Sequence, residues 1–298
     1  MNQRIYSQNP IDPKQVDFMK DIGVSALLQS FKTHEKIGEH GIEMIQNNQF
    51  GDMAMRGDIE AENAVLSHLK KQDISIIIQS EEHGETHIGT SPSYFGVLDG
   101  IDGSAWYKSD RGIGRYGTLL GIYNGTDPCY KDYIFGGIME HATKRLIYGV
   151  KGKGSYVYDL VSDTTTPIHT SRTNSLTKQT NIHIDQFWEI NKHTFLIPLS
   201  EYRILDYHLC SSVHYANVAL GASDLALECT RKNNLEIAAV FGLIHEAGGV
   251  MITHDGKDLS NLPYKTFGQT SHVPVITAAS RTLADQTVKF LEKNISYI

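Results

Sequence analysis

The stretch Val97-Leu98-Asp99-Gly100-Ile101-Asp102-Gly103-Ser104 constrains this chain more than any other. Residues 94–98 are an apolar run of strand length, ending in two carboxylates with glycines between and after them. Ser104 follows, and Ala105-Trp106-Tyr107 suits the opening of a helical turn. Acids at a strand's end beside bare backbone N–H groups suit a divalent cation held next to a phosphate. Mg²⁺ takes few carboxylates together with water and phosphate oxygens, and a helix start offers unpaired N–H groups to an anion. Taken alone, the same residues also make an ordinary polar turn. An EF-hand fits poorly, because Ile101 stands where that loop needs Asp or Asn and the glycine at its sixth position is missing.

At 298 residues the chain has room for one large domain or two ordinary ones, and 40% hydrophobic residues can build a sizeable core. A net charge of −7 argues against a nucleic-acid surface. It leaves a phosphorylated substrate open, because bound cations neutralise clustered carboxylates locally. Cys129, Cys210 and Cys229 are far apart and odd in number, which points to a reducing, cytoplasmic setting rather than a disulfide framework. The first residues lack the apolar core of a signal peptide, and no run is long enough to span a membrane.

Along the chain, Asp12-Pro13 opens a helix whose apolar stripe is Val16, Met19, Ile22, Ala26 and Leu27. A second helix is expected over 37–46, then an irregular link over 50–57 in which Asp52 is simply polar. Asp58 is a natural N-cap for a helix carrying Ile59, Val65, Leu66 and Leu69, with Glu62 near its first turn. A strand over 74–79 runs into Ser80-Glu81-Glu82, followed by a soft loop over 83–92 whose His83 and His87 read as exposed loop histidines before metal ligands. Residues 116–150 read as an antiparallel meander, and Lys151-Gly152-Lys153-Gly154 as a hairpin turn rather than a phosphate loop. A Ser/Thr-rich segment over 162–180 suits a domain boundary. Beyond it come strands at 182–184 and 195–198, the stretch 207–210 leading into a helix from Ser211, and a strand at 225–228. A helix over 235–247 stops at Gly248-Gly249, strands follow at 250–253 and 275–278, and Ser280 caps a last helix.

Three blocks together carry a resemblance. The acidic stretch matches Asp-Pro-Ile/Leu-Asp-Gly-Thr/Ser as Asp99-Gly100-Ile101-Asp102-Gly103-Ser104. Upstream, Ser80-Glu81-Glu82 matches a strand ending in Gly-Glu-Glu; downstream, Leu235-Glu236-Ile237-Ala238 leads to Glu246-Ala247-Gly248-Gly249 as in Trp-Asp-x-Ala…Glu-Ala-Gly-Gly. In this order and spread, the chain resembles the inositol monophosphatase family, metal-dependent and lithium-sensitive phosphatases. Gly100 replaces the family's proline, which is expected to loosen the turn. Glu236 replaces its aspartate, adding a methylene that is expected to shift or weaken one metal site.

The resemblance implies an α/β fold of layered αβαβα type. Its N-terminal α+β half (1–165) would carry most metal ligands, and its C-terminal α/β half (166–298) would add substrate contacts and Glu236. It implies two or three Mg²⁺ ions, with Mn²⁺ as a substitute and Li⁺ and Ca²⁺ inhibitory. Glu81, Asp99 and the Ile101 carbonyl would hold the first ion, and Asp99, Asp102 and Glu236 the second. Glu81, Asp58 and Ser104 would orient the attacking water, while the N–H groups of Gly103 and Ser104 would receive the phosphate. Glu228 would meet substrate hydroxyls, the bulky His214-Tyr215 pair would sit at the substrate-facing start of its helix, and Thr230-Arg231-Lys232 would either meet a second phosphate or, for Arg231 and Lys232, lie in a solvated loop. The partner implied is a small phosphate monoester, first an inositol or sugar phosphate, then fructose 1,6-bisphosphate or 3′-phosphoadenosine 5′-phosphate. A homodimer is the family's default. A member that has lost catalysis and only binds a phosphorylated ligand or a protein is the alternative raised by Gly100 and Glu236.

Overall fold

The computed structural model describes residues 11–111, 113–185, 202–206 and 210–295. The expected strand at 195–198 and positions 207–209 lie outside these residues. Among the described residues, one eight-stranded and one five-stranded sheet alternate with helices in a layered αβαβα order. The outermost layer is α1 (Pro13–Ile37) with α2 (Arg56–Leu69). Asp12 caps α1 by accepting from Lys14 N at 2.9 Å, and Val16, Met19, Ile22, Ala26 and Leu27 turn inward as their spacing predicts.

These helices cover one face of the large sheet, built from β3 (Ile76–Ser80), β4 (Gly84–Ile88), β5 (Tyr94–Asp102), β6 (Gly117–Asn124), β7 (Tyr133–Glu140), β8 (Arg145–Val150), β9 (Gly154–Asp159) and β10 (Thr164–Ile168). Its order is β10-β9-β8-β7-β6-β5-β3-β4, so it is a meander with one parallel pair, β3 beside β5. The middle layer is α4 (Ser211–Ala219) and α5 (Leu235–Glu246), with α3 (Ser104–Asp110) a single short helix after β5. Apart from Glu236, the α5 helix is apolar on every side from Leu235 to Ile244 and buried there, because it packs on both sheets at once. The second sheet has the order β12-β11-β13-β15-β14, from β11 (Asn181–Ile184), β12 (Arg203–Asp206), β13 (Leu225–Cys229), β14 (Val250–Thr253) and β15 (Pro274–Ala278). The last layer is α6 (Arg281–Ile295), whose N-terminus Ser280 caps through Leu283 N at 3.2 Å.

Three local expectations are corrected. No α-helix spans 37–46: α1 runs on to Ile37, only Gly38–Ile42 continues as a short 3₁₀ helix, with Gly38 at φ +59, and Met44–Asn47 forms β1 paired with β2 (Met53–Met55). Asp58 is not the N-cap of α2. Met55, in extended backbone, holds that position, and Asp58 reaches back from the third residue of the helix to accept Met55 N at 3.0 Å. Part of the soft loop after Glu82 is strand β4, paired with β3. The Lys151–Gly154 segment is the hairpin turn expected, and Glu246 anchors it by accepting Gly152 N at 2.7 Å and Gly154 N at 2.9 Å.

Candidate active site

Strand β5 carries its two acids to one place by breaking its own register. Asp99 faces Leu119 and Asp102 faces Gly117 across β6, so three steps on β5 match two on its partner. This bulge overrides the alternation that would send residues an odd number apart to opposite faces. The Thr118 hydroxyl secures it by donating to the Gly100 carbonyl at 2.8 Å. Gly100 is not there to loosen the turn. A Cβ at this position would lie 2.3 Å from the Asp58 carbonyl oxygen, so the first turn of α2 rests directly on the bare backbone. Gly103 then turns the chain in left-handed conformation, φ +87, into α3.

Glu236 arrives from the first turn of α5, and its carboxylate offers an oxygen within 4.8 Å of oxygens of Asp99 and Asp102. All three side chains are buried. The start of α4 ties them in place. Ser212 N donates to Asp102 at 2.6 Å, and the Ser211 hydroxyl donates to Glu236 at 2.8 Å. Ser211 and Ser212 therefore meet the acids, whereas His214 and Tyr215 turn inward to Glu228 at 3.0 and 2.8 Å. Glu228 and Tyr215 are buried beside each other and do not line the cleft, so the substrate-hydroxyl role has no support from their placement.

Asp52, Asp58, Glu81, Glu82 and Ser104 line the same cleft of about 320 Å³, together with the acidic triad, Ile101, Gly103, Arg231 and Lys232. Glu81 is placed by Glu62, which by its position in the sequence is an ordinary acid near the first turn of α2. The fully buried Glu62 accepts the backbone N–H groups of Glu81 and Glu82 at 2.9 and 3.1 Å, and pairs with His83 at 2.7 Å. Arg231 lines the cleft and is not a solvated loop residue. Its guanidinium lies 2.9 Å from Glu236 and 3.2 Å from the Ser211 hydroxyl, with only 12% of its side chain exposed. Lys232 lies 2.6 Å from Glu81 and 3.0 Å from Asp52, so Asp52 is also more than a polar surface residue.

So many carboxyls in one buried place repel one another. Burial and the charge of Glu81 push Asp58 up to about 7 and Glu82 up to about 8. Burial and the same neighbour raise Asp99 well above the usual carboxylate range. Burial raises Glu236 to about 8 even though Arg231 opposes it. Burial works against the Lys232 charge, but Glu81 outweighs it and keeps its pKa above the ordinary lysine value. Seven carboxyls and two cations line the cleft. Hard oxygen donors in such excess, whose protons a bound ion would displace, fit a divalent cation such as Mg²⁺ or Mn²⁺.

Residues 13–296 match the inositol monophosphatase family. A curated relative from Methanothermobacter thermautotrophicus, fructose-1,6-bisphosphatase/inositol-1-monophosphatase, is 25% identical over 74% of this chain and 78% of its own. Another, the bifunctional NADP phosphatase/NAD kinase of Methanococcus maripaludis, is 28% identical over 74% of this chain, which spans 40% of that longer protein. Among solved structures, the Thermotoga maritima IMPase superposes with a TM-score of 0.70 at 18% identity, covering 94% of this chain and 99% of that one. The extragenic suppressor protein suhB of Bartonella henselae gives 0.73 at 17% identity, over 93% and 99%. The chain belongs to the inositol monophosphatase family and is a phosphatase, a hydrolase of phosphoric monoesters. No described helix is long and apolar enough to cross a membrane.

Proposed function

We propose that this chain is a Mg²⁺-dependent phosphatase for a small phosphate monoester, first of all an inositol or sugar phosphate. The observation that carries the reading is the convergence of Asp99, Asp102 and Glu236 within 4.8 Å of one another, buried beside the backbone of Gly103 and Ser104. These three carboxylates would hold the cation, which when bound supplies positive charge to the phosphoryl oxygens. Asp58 and Glu81 would orient the attacking water and take its proton, with the Ser104 hydroxyl as a further contact. The phosphorus–oxygen ester bond breaks as the water oxygen bonds to phosphorus, and the leaving alkoxide takes up a proton. The N–H groups of Gly103 and Ser104 would hold phosphoryl oxygens.

The test is a phosphate-release screen over inositol 1-phosphate, fructose 1,6-bisphosphate, 3′-phosphoadenosine 5′-phosphate and NADP, with and without Mg²⁺ and Li⁺. The expected result is Mg²⁺-dependent release, fastest on the inositol or sugar phosphate and suppressed by Li⁺. Release from none of these esters with either Mg²⁺ or Mn²⁺ contradicts the reading. It would favour a family member that binds a phosphorylated ligand without turning it over, for which Arg231 on Glu236 is the motivating contact.

A pH dependence follows. A carboxyl whose pKa folding raises holds its proton more tightly in the native chain than in the unfolded one. Its contribution to stability is full at low pH, and is lost as pH climbs from the unfolded value, about 4, toward the folded value. For Asp58 and Glu236 the folded values are about 7 and about 8. Without Mg²⁺, the Tm should therefore fall between pH 5 and pH 8. Saturating Mg²⁺ should raise Tm by several degrees more at pH 8 than at pH 5. Thermal scans in EDTA and in Mg²⁺ check this, and equal Mg²⁺ effects at both pH values would contradict it.

A further inference from the structure

Lys232 is held in the cleft by unusual backbone. Lys232, Asn233 and Asn234 all have left-handed φ, +45, +57 and +57, and none is glycine. Such residues are disfavoured singly, and three in succession persist only where the surroundings over-determine them. Here they do. The Asn233 carbonyl accepts Tyr264 Oη at 2.8 Å and Gln269 Nε2 at 3.0 Å, and the buried Asn234 amide bonds Tyr130 Oη. The turn ends where α5 begins and Glu236 follows, so its shape places the lysine and the triad's third acid together. On the opposite wall, two separate segments receive the ammonium. Asp52 comes from the loop between β1 and β2, and Glu81 from the end of β3. Asn48 of the same loop also donates to Glu81 Oε1, at 3.1 Å. Groups of the chain meet both sets of acids, Lys232 and Asn48 at Glu81, and Arg231, Ser211 and Ser212 at Glu236 and Asp102; what sets Asp99, Asp102 and Glu236 apart is that their oxygens lie within 4.8 Å of one another.

We propose that the Lys232 ammonium is a resident cation of the cleft, standing at Glu81 and Asp52 in place of a divalent ion, so that the protein takes up one divalent ion fewer than its carboxylates would otherwise bind. The proposal rests on the reading of the cleft as a divalent-cation site. A fixed ammonium both occupies a ligand oxygen of Glu81 and repels a second cation at close range. The triad alone then defines the tight site, and a second ion competes with Lys232 for Glu81.

The experiment counts Mn²⁺ ions bound to the full chain, by electron paramagnetic resonance of free Mn²⁺ and by calorimetry. It compares wild type, Lys232→Met, Lys232→Gln and Lys232→Arg, each checked for folding by circular dichroism. Wild type and Lys232→Arg should bind one Mn²⁺ tightly. Either neutral variant should gain a second, with affinity at that position increased by about tenfold or more. Equal stoichiometry and affinity in wild type and both neutral variants would overturn the proposal while leaving the triad site standing, as would two tight ions in wild type. Absence of Mn²⁺ uptake by every protein would overturn this proposal and the metal reading of the cleft together.

Discussion

Asp99→Asn should destroy turnover and at the same time make the metal-free protein more stable. Asp99 is 3% exposed and surrounded by the charges of Glu81, Asp102 and Glu236. As a carboxylate it pays burial and repulsion with no compensating ion in the metal-free state. Asparagine keeps the shape and removes the charge. The stability gain should be about 1–2 kcal/mol, in the range of relieved active-site strain, and visible as a Tm rise of several degrees in EDTA. The same change removes an anionic ligand from the triad, so kcat on the ester that the substrate screen identifies should fall by about 10³-fold or more. A variant that loses stability in EDTA, or that retains turnover, would mean that Asp99 is a structural acid and not a cation ligand.

Gly100→Ala should be damaging far beyond the addition of one methyl group. The new Cβ would meet the Asp58 carbonyl oxygen at 2.3 Å and the Asp58 Cα at 3.0 Å. These are backbone atoms in the first turn of α2, so no side chain can swing aside to make room. Either the β5 bulge or the start of α2 must move. The expected cost is about 3 kcal/mol of stability, at the upper end for overpacking. Because Asp58 and the Asp99–Asp102 pair would shift against each other, kcat should drop by about 10²-fold even in the folded fraction. Denaturant unfolding and phosphate release measure the two effects. Wild-type values for both would show that the close approach of α2 to Gly100 is not needed.

Much of this arrangement was readable from residue order. The apolar stripe of α1, the strand from Tyr94 that runs into the two acids, the hairpin at Lys151–Gly154 and the Gly248-Gly249 stop after α5 all follow from local periodicity and turn chemistry. The acids of the cleft were legible as a set because each lies at the end of an element. What stayed hidden depends on contacts distant in the chain. Glu62 looks like any first-turn acid until the backbone after β3 is seen to rest on it. Gly100 looks like a loosened turn until α2 is seen to touch it. Glu228 looks available to a substrate, but its neighbours on α4 close over it. Lys232 reads from the sequence as part of a solvated or phosphate-facing basic pair, because three left-handed non-glycine residues arise from tertiary buttressing and not from local preference. A basic pair just ahead of the Glu236 helix was the one available hint.

The most direct measurement is anomalous diffraction from crystals of the wild-type protein equilibrated with Mn²⁺. An ion should appear bonded to carboxylate oxygens of Asp99, Asp102 and Glu236 at about 2.0–2.3 Å, with Lys232 still against Glu81. Anomalous density confined to other parts of the surface, with these three carboxylates bare, would contradict the account.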